Sequence, residues 1–320
     1  MKTEYDILTV GFPLVEIMRK QRGVSFDIPG EFIGPYPSGD TCIMLDVAAR
    51  LGKKCCLVGT AGDDSFGQLV IDRLKQDKIN TDHVRKVPGY HTGTVFVRYD
   101  PDGKREYLDF VNHSACQALC RNDIDPGIIR QSRIVHFSGE VLSICMEGEL
   151  RKTMLMVLDN ISRESIVSLD PNFTVEVEKM EQVMGPFIER ADIILPSEGE
   201  AARLLSVCTD EEACCQLARK GKIVALKQGQ KGCRIYKEDM RIQISAYPIE
   251  EVDPTGCGDS FCGGFLYGVL ENWDLERIGR FANATGALQA TERGPMEGAK
   301  TLQEIESFMG CQKGEAGHGH

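Results

Sequence analysis

The chain has 320 residues, enough for one large α/β domain or two ordinary ones, and its 42% apolar and 27% charged residues are those of a soluble globular protein. A formal net charge of -11, with no compensating basic patch, argues against nucleic acid or an anionic membrane surface as the main partner. An anionic substrate would have to be held by local devices instead, meaning helix N-termini and a few placed cations.

Along the chain, residues 1–10 lack the basic and hydrophobic blocks of a secretory signal, and no apolar run is long enough to span a membrane, so the expected location is the cytoplasm. Short β-rich runs at 7–10, 56–58, 134–137, 166–169, 193–195 and 223–226 alternate with stretches of helical spacing at 41–51, 66–76, 147–163, 198–205, 211–220 and 275–291. Alternation of this kind predicts a doubly wound, mostly parallel sheet flanked by helices, with ligands at the C-terminal ends of its strands. Two stretches break the pattern. Residues 12–37 are rich in Gly and Pro, and residues 92–111 read as a hairpin around Asp100-Pro101-Asp102-Gly103. Such a hairpin projecting from a parallel sheet serves either as a lid or as an inert edge. The thirteen cysteines are odd in number and include the adjacent pairs Cys55-Cys56 and Cys214-Cys215. With no CxxC spacing among them, they read as reduced and mostly buried, not as zinc or disulfide sites. Residues 1–312 are expected to form a single domain, with 313–320 as a flexible tail.

The stretch from Asp253 to Leu266, DPTGCGDSFCGGFL, carries the chemistry. Gly256 and Gly258 straddle Cys257 and lead into an apolar helical pattern. The N–H groups from Gly256 to Asp259 would therefore face outward at a helix N-terminus, unpaired and at the positive end of the dipole, which suits a phosphate. Asp259 beside such a turn has two readings, a helix N-cap or a base that accepts the proton of an attacking hydroxyl.

The same stretch resembles the C-terminal signature of the PfkB (ribokinase-like) family of carbohydrate kinases, departing from its common form only at Pro254 and Cys257. Ser38-Gly39-Asp40-Thr41, Ala48 to Gly52, Val58-Gly59 and Gly62 to Gly67 resemble the N-terminal signature, so the likeness spans most of the chain. It implies a ribokinase-like fold with a small β lid, contributed here by about 12–37 and 92–111, which relatives often pair into a homodimer. It also implies transfer of a phosphoryl group from ATP, with Mg2+, to a hydroxyl of a small-molecule substrate. That substrate would be a monosaccharide or sugar acid, as in ribokinase, fructokinase or 2-keto-3-deoxygluconate kinase; a nucleoside kinase and a non-catalytic sugar-binding relative are the alternatives. Carried over residue by residue, the resemblance makes Asp259 the catalytic base and Gly256, Cys257 and Gly258 the anion hole. Lys227, Gly229 and Gly232, with Ser197 and Asn283, fall beside the nucleotide. Glu200 falls where Mg2+ is handled through water, and Asp253 with the Thr255 carbonyl where many relatives bind a monovalent cation such as K+. The substrate end departs from the family, with Ser38 for Gly, Ile43 for Asn, and Glu16 as the only carboxylate from Gly11 to Met18. Gly39, Asp40, Glu16, Tyr107 and Glu140 are the candidates there, and Arg98 and Arg105 would suit an acidic sugar.

Overall fold

A computed structural model describes residues 3–101, 104–145, 147–173 and 180–315. Strand β1 (Tyr5–Gly11) is buried almost throughout, as a central strand covered on both faces must be. It continues into two strands of a separate sheet, β2 (Leu14–Arg19) and β3 (Phe32–Ser38), before α1 (Asp40–Arg50) returns the chain to β4 (Cys55–Gly62). Helix α2 (Ser65–Gln76), capped by Asp64 accepting from the Gly67 N–H, leads to β5 (Asn80–Val87). The hairpin of β6 (Gly93–Tyr99) and β7 (Arg105–Phe110) rejoins the small sheet. Then come α3 (Pro126–Arg130), β8 (Ser132–Ser138), α4 (Gly139–Ile144), α5 (Gly148–Asp159) and β9 (Ile166–Asp170). Helix α6 (Met180–Arg190), β10 (Ile193–Ile194), α7 (Glu200–Leu205), α8 (Asp210–Arg219) and β11 (Ile223–Lys227) follow. Strands β12 (Cys233–Lys237) and β13 (Met240–Ile244) precede the closing helices α9 (Cys257–Leu270), α10 (Leu275–Ala290) and α11 (Leu302–Glu315).

The large sheet has nine strands in the order β13-β12-β11-β10-β9-β8-β1-β4-β5, parallel from β11 to β5 with an antiparallel edge at β12 and β13. Its order reverses at β1, where α/β sheets open a crevice at their C-terminal edge. Successive residues of one strand feed opposite cores: Leu8, Val10, Val135 and Phe137 pack on one face, Ile7, Leu57 and Ile134 on the other. The small sheet runs β3-β2-β6-β7. Its register pairs Tyr99 with Arg105 and Val97 with Tyr107, so these side chains share one face with Glu16 and Met18, while Phe96 and Leu108 share the other.

Every β-rich run read from the sequence lies in or against a strand of the large sheet, and the hairpin at 92–111 forms, although Asp102 and Gly103 of its turn lie outside the described residues. The helix expected over 147–163 ends earlier, at Asp159. There the Asn160 side chain turns back to donate to the Met156 carbonyl at 2.8 Å. Strand β5 escapes the sequence pattern because NTDHVRKV is a half-exposed edge with too few apolar residues to alternate. Helix α11 extends to Glu315 and so takes in the first residues of the expected tail; 316–320 lie outside the described residues.

Candidate active site

The N-terminus of α9 is built as its glycines require. Gly256 has φ of 78°, and a Cβ there would sit 2.4 Å from the Pro295 carbonyl oxygen, so both conformation and space exclude a side chain. The first helical bond runs from the Ser260 N–H to the Gly256 carbonyl at 2.8 Å, which leaves the N–H groups of Gly258 and Asp259 without intrahelical acceptors. Cys257 N–H makes only a 3.4 Å contact with the Pro254 carbonyl. The helix dipole draws a thiol toward the thiolate, but burial wins and pushes Cys257 up to about 12.

Two strand ends meet this turn. Lys227, closing β11, donates to Asp170 Oδ2 at 2.5 Å at the end of β9, and a Cβ at Gly258 would lie 3.5 Å from its Nζ. Its ammonium therefore stands against the amide cradle. Burial favours the neutral amine, yet Asp170, with Cys262 and Glu200, holds Lys227 protonated and above the usual lysine range. The Cys262 thiol donates to the same Asp170 oxygen at 3.1 Å, while Asp170 Oδ1 is buried without a partner among the described residues. An unpartnered buried carboxylate oxygen beside a fixed ammonium suits a hydrated cation or a phosphate-bound one. Glu200 accepts from the Ser197 and Phe173 N–H groups at 2.7 and 3.0 Å, and burial, with Asp170, raises its carboxyl.

Across the crevice Asp40 opens α1. Gly39 before it has φ of 113°, and a Cβ there would meet the Phe12 carbonyl at 2.4 Å. Asp40 Oδ2 accepts from the Ser138 hydroxyl at the end of β8 and from the Asn172 side-chain amide at 3.1 Å. Glu140, in the first turn of α4, is hydrogen-bonded to Asp40; burial, then the charges of Asp40 and Asp259, hold its carboxyl well above the usual range. Burial does the same to Asp259, with Asp40 and Asp170 adding while Lys227 and Arg105 oppose. These mutual effects bring Asp40, Glu140 and Asp259 into one cluster. From the small sheet, Tyr107 faces them and feels Glu16, Glu140 and Asp259.

The remaining expected residues are less central. Glu16 is buried in β2 with Ser38 and Asp253 near it, pushed up to about 8 by burial and then by Asp253. Arg98 is committed to Asp100 and Glu106, so it does not serve the crevice, whereas Arg105 lies on the crevice side of β7. Gly229 and Gly232 shape the turn of the β11–β12 hairpin, and Asn283 is buried, donating to the Ile244 and Ser245 carbonyls at 3.3 and 3.1 Å. Ser197 forms a bridge with Lys227 beside that turn. Ile43 packs its Cγ2 against Gly256 as apolar filling. Sequence reasoning passed over Asp170, Asn172 and Ser138. The available signal was Leu169-Asp170-Pro171-Asn172, polar residues directly after a buried strand, where ligands of such sheets gather.

Comparison with known proteins identifies the family. The sequence profile described as pfkB family carbohydrate kinase matches residues 32–302. Fructokinase-2 of Zea mays is 27% identical over 318 residues, covering 95% of this chain and 93% of its own. An E. coli structure provisionally named Ribokinase II, in complex with ATP and Mg2+, is 33% identical with a TM-score of 0.88, covering 96% of this chain and all of that one. An uncharacterized sugar kinase from Pyrococcus horikoshii in complex with ATP is 26% identical with a TM-score of 0.79, covering 93% and 96% of the two chains. With the profile spanning most of its length on a matching fold, the chain belongs to the pfkB family of carbohydrate kinases and is a sugar kinase.

Proposed function

We propose that this kinase uses Mg-ATP to phosphorylate a hydroxyl of a neutral monosaccharide, with Asp259 as the base. What supports this reading is that Asp259 lies in the first turn of α9, among its open amides, and close enough to Asp40 and Glu140 for their charges to act on one another. A hydroxyl held by that pair would present its proton to the Asp259 carboxylate. The N–H groups of Gly258 and Asp259, with the Lys227 ammonium, would neutralise charge gathering on the transferred group. ATP would supply that group; Asp170, with Glu200 through water, would hold its metal, and the hairpin turn at Gly229 and Gly232 would flank the nucleotide. Asp40 and Glu140, with Asn172 and Tyr107, offer acceptors and short donors for sugar hydroxyls. Carboxyls dominate this end and Arg98 is already paired, which favours a neutral sugar; Arg105 is the crevice-side cation of the lid that an acidic one would need.

In the same reading the chain is one domain in which the small sheet acts as a lid, its inner residues Tyr107 and Arg105 closing over the sugar so that water is excluded. The outer face of the lid carries Phe32, Phe96, Leu108 and Phe110, with Phe32–Phe96 and Phe96–Phe110 rings in edge contact at 5.5 and 5.9 Å. That exposed apolar face supports a homodimer through the lid.

The deciding experiment measures ADP release with Mg-ATP over a panel of neutral sugars, sugar acids and nucleosides. Release with a neutral sugar is expected, and Asp259→Asn should lower kcat by about 10²–10⁴-fold. Release with nucleosides alone would overturn the substrate assignment, and an unimpaired D259N variant would overturn the base.

A further inference from the structure

The family resemblance places a monovalent cation at Asp253 and the Thr255 carbonyl. In this chain those oxygens are met by the chain's own donors. Asp253 Oδ1 accepts from the Tyr99 hydroxyl at 2.5 Å and from the Thr255 N–H at 3.0 Å, and Oδ2 accepts from the Gly294 N–H at 3.0 Å. The Thr255 hydroxyl shares a 2.6 Å hydrogen bond with the same Tyr99. Its carbonyl accepts from Gln289 Nε2 at 3.0 Å, and that nitrogen also donates to the Gly294 carbonyl at 2.7 Å. Gln289 Oε1 accepts in turn from the Gly298 N–H at 3.0 Å. The Ala290 carbonyl beside it takes the N–H groups of Val252 and Asp253 at 2.8 and 3.2 Å.

A cation needs oxygen lone pairs converging on a shared space. Here N–H and O–H dipoles present their positive ends to those oxygens. Gln289 is fully buried, and no oxygen of Asp253, Thr255 or Gln289 is among the buried side-chain atoms left without a partner among the described residues. Its carboxamide spends two donors and one acceptor on three points of the loop at 294–298 and the turn before α9, a fully satisfied buried network. The position matters because Thr255 immediately precedes Gly256, and the Pro295 carbonyl packs where a Gly256 Cβ would be.

We infer that the Gln289 carboxamide takes the place of the monovalent cation, cross-linking the Thr255 and Gly294 carbonyls so that the anion-hole turn is shaped without K+. Gln289 is thus a positioning residue acting through Gly256, and the kinase works in the absence of monovalent metal ions. Only the activity arm of the test rests on the proposed function.

The first arm uses the full chain without nucleotide and follows its melting temperature as KCl replaces tetramethylammonium chloride at constant ionic strength. No saturable shift is expected, because a ligand stabilises only the state it binds; a saturable rise would overturn the inference. The second arm measures ADP release under the same exchange, where an unchanged rate is expected and a K+-dependent one would overturn it. Gln289→Ala opens the space between the two carbonyls. That variant should lose about tenfold to a hundredfold in kcat through misplacement of the turn, and KCl should restore both its rate and its melting temperature. A folded Q289A indifferent to K+ in both readouts would overturn the assignment. If Q289A does not fold, the wild-type arms decide. If no sugar elicits ADP release, that counts against the kinase reading, and the melting arm still decides this one.

Discussion

Asp259 shows how a residue's neighbours set its chemistry. Burial, Asp40 and Asp170 raise its carboxyl well above the ordinary range, and a base must be ionised to work. The rate should therefore rise with pH through that raised value, so the acid limb of kcat/KM lies above the usual carboxylate range. Lys227 opposes the shift; Lys227→Met should move the limb further up, and Asp170→Asn should move it down. A pH–rate profile for each variant checks both signs, and an acid limb that stays put in K227M would refute the coupling. Gly256 is the second residue on which the site hangs. Gly256→Ala pays about 1–2 kcal/mol for the left-handed conformation and adds a 2.4 Å approach to the Pro295 carbonyl. Denaturant unfolding should show that loss or more, with kcat falling further than stability explains. Gly256, Gly258 and Asp259 were legible because they fall within four residues and their chemistry follows from one turn. Asp170, Asn172 and Ser138 were not, since they come from the ends of two different strands, β9 and β8, and acquire meaning only beside Asp40 or Lys227.

Among the elements, the small sheet separates two tasks by alternation. Residues Tyr99, Arg105 and Tyr107 of β6 and β7 face the crevice, while Phe96, Leu108 and Phe110 face away. Phe110 is 53% exposed and Leu108 45%, more than a lone solvated strand tolerates without a partner. A dimeric mass is expected at micromolar concentration, and Phe96→Glu with Phe110→Glu should shift it to the monomer with little change in melting temperature. Light scattering after size exclusion reads both, and a wild-type monomer would refute pairing through this face. The sequence announced the hairpin through alternation around its turn. That Leu14–Arg19 and Phe32–Ser38 join it was implied only by the family resemblance, which put residues 12–37 in the same lid; their own pattern does not show it, because partner choice between strands is a tertiary decision.

At the scale of the whole molecule, thirteen thiols sit in a chain whose described residues contain no disulfide, and burial is the largest influence on the shifted ones. Cys208 and Cys311 are exposed, whereas Cys257, despite its helix N-terminus, is pushed up to about 12 by burial. Iodoacetamide at neutral pH should label Cys208 and Cys311 first and leave kinase activity intact. Peptide mass spectrometry checks the order, and early loss of activity with label on Cys257 would refute it. The sequence by itself determined the doubly wound α/β class, the glycine turn with its aspartate and the family, because periodicity and short motifs act over a few neighbouring residues. Tertiary structure alone decided the rest. It set Lys227 against Asp170, paired Asp40 with Glu140, and closed the loop around Asp253 with Tyr99 and Gln289, residues brought within hydrogen-bond reach only when the two sheets and the closing helices pack together.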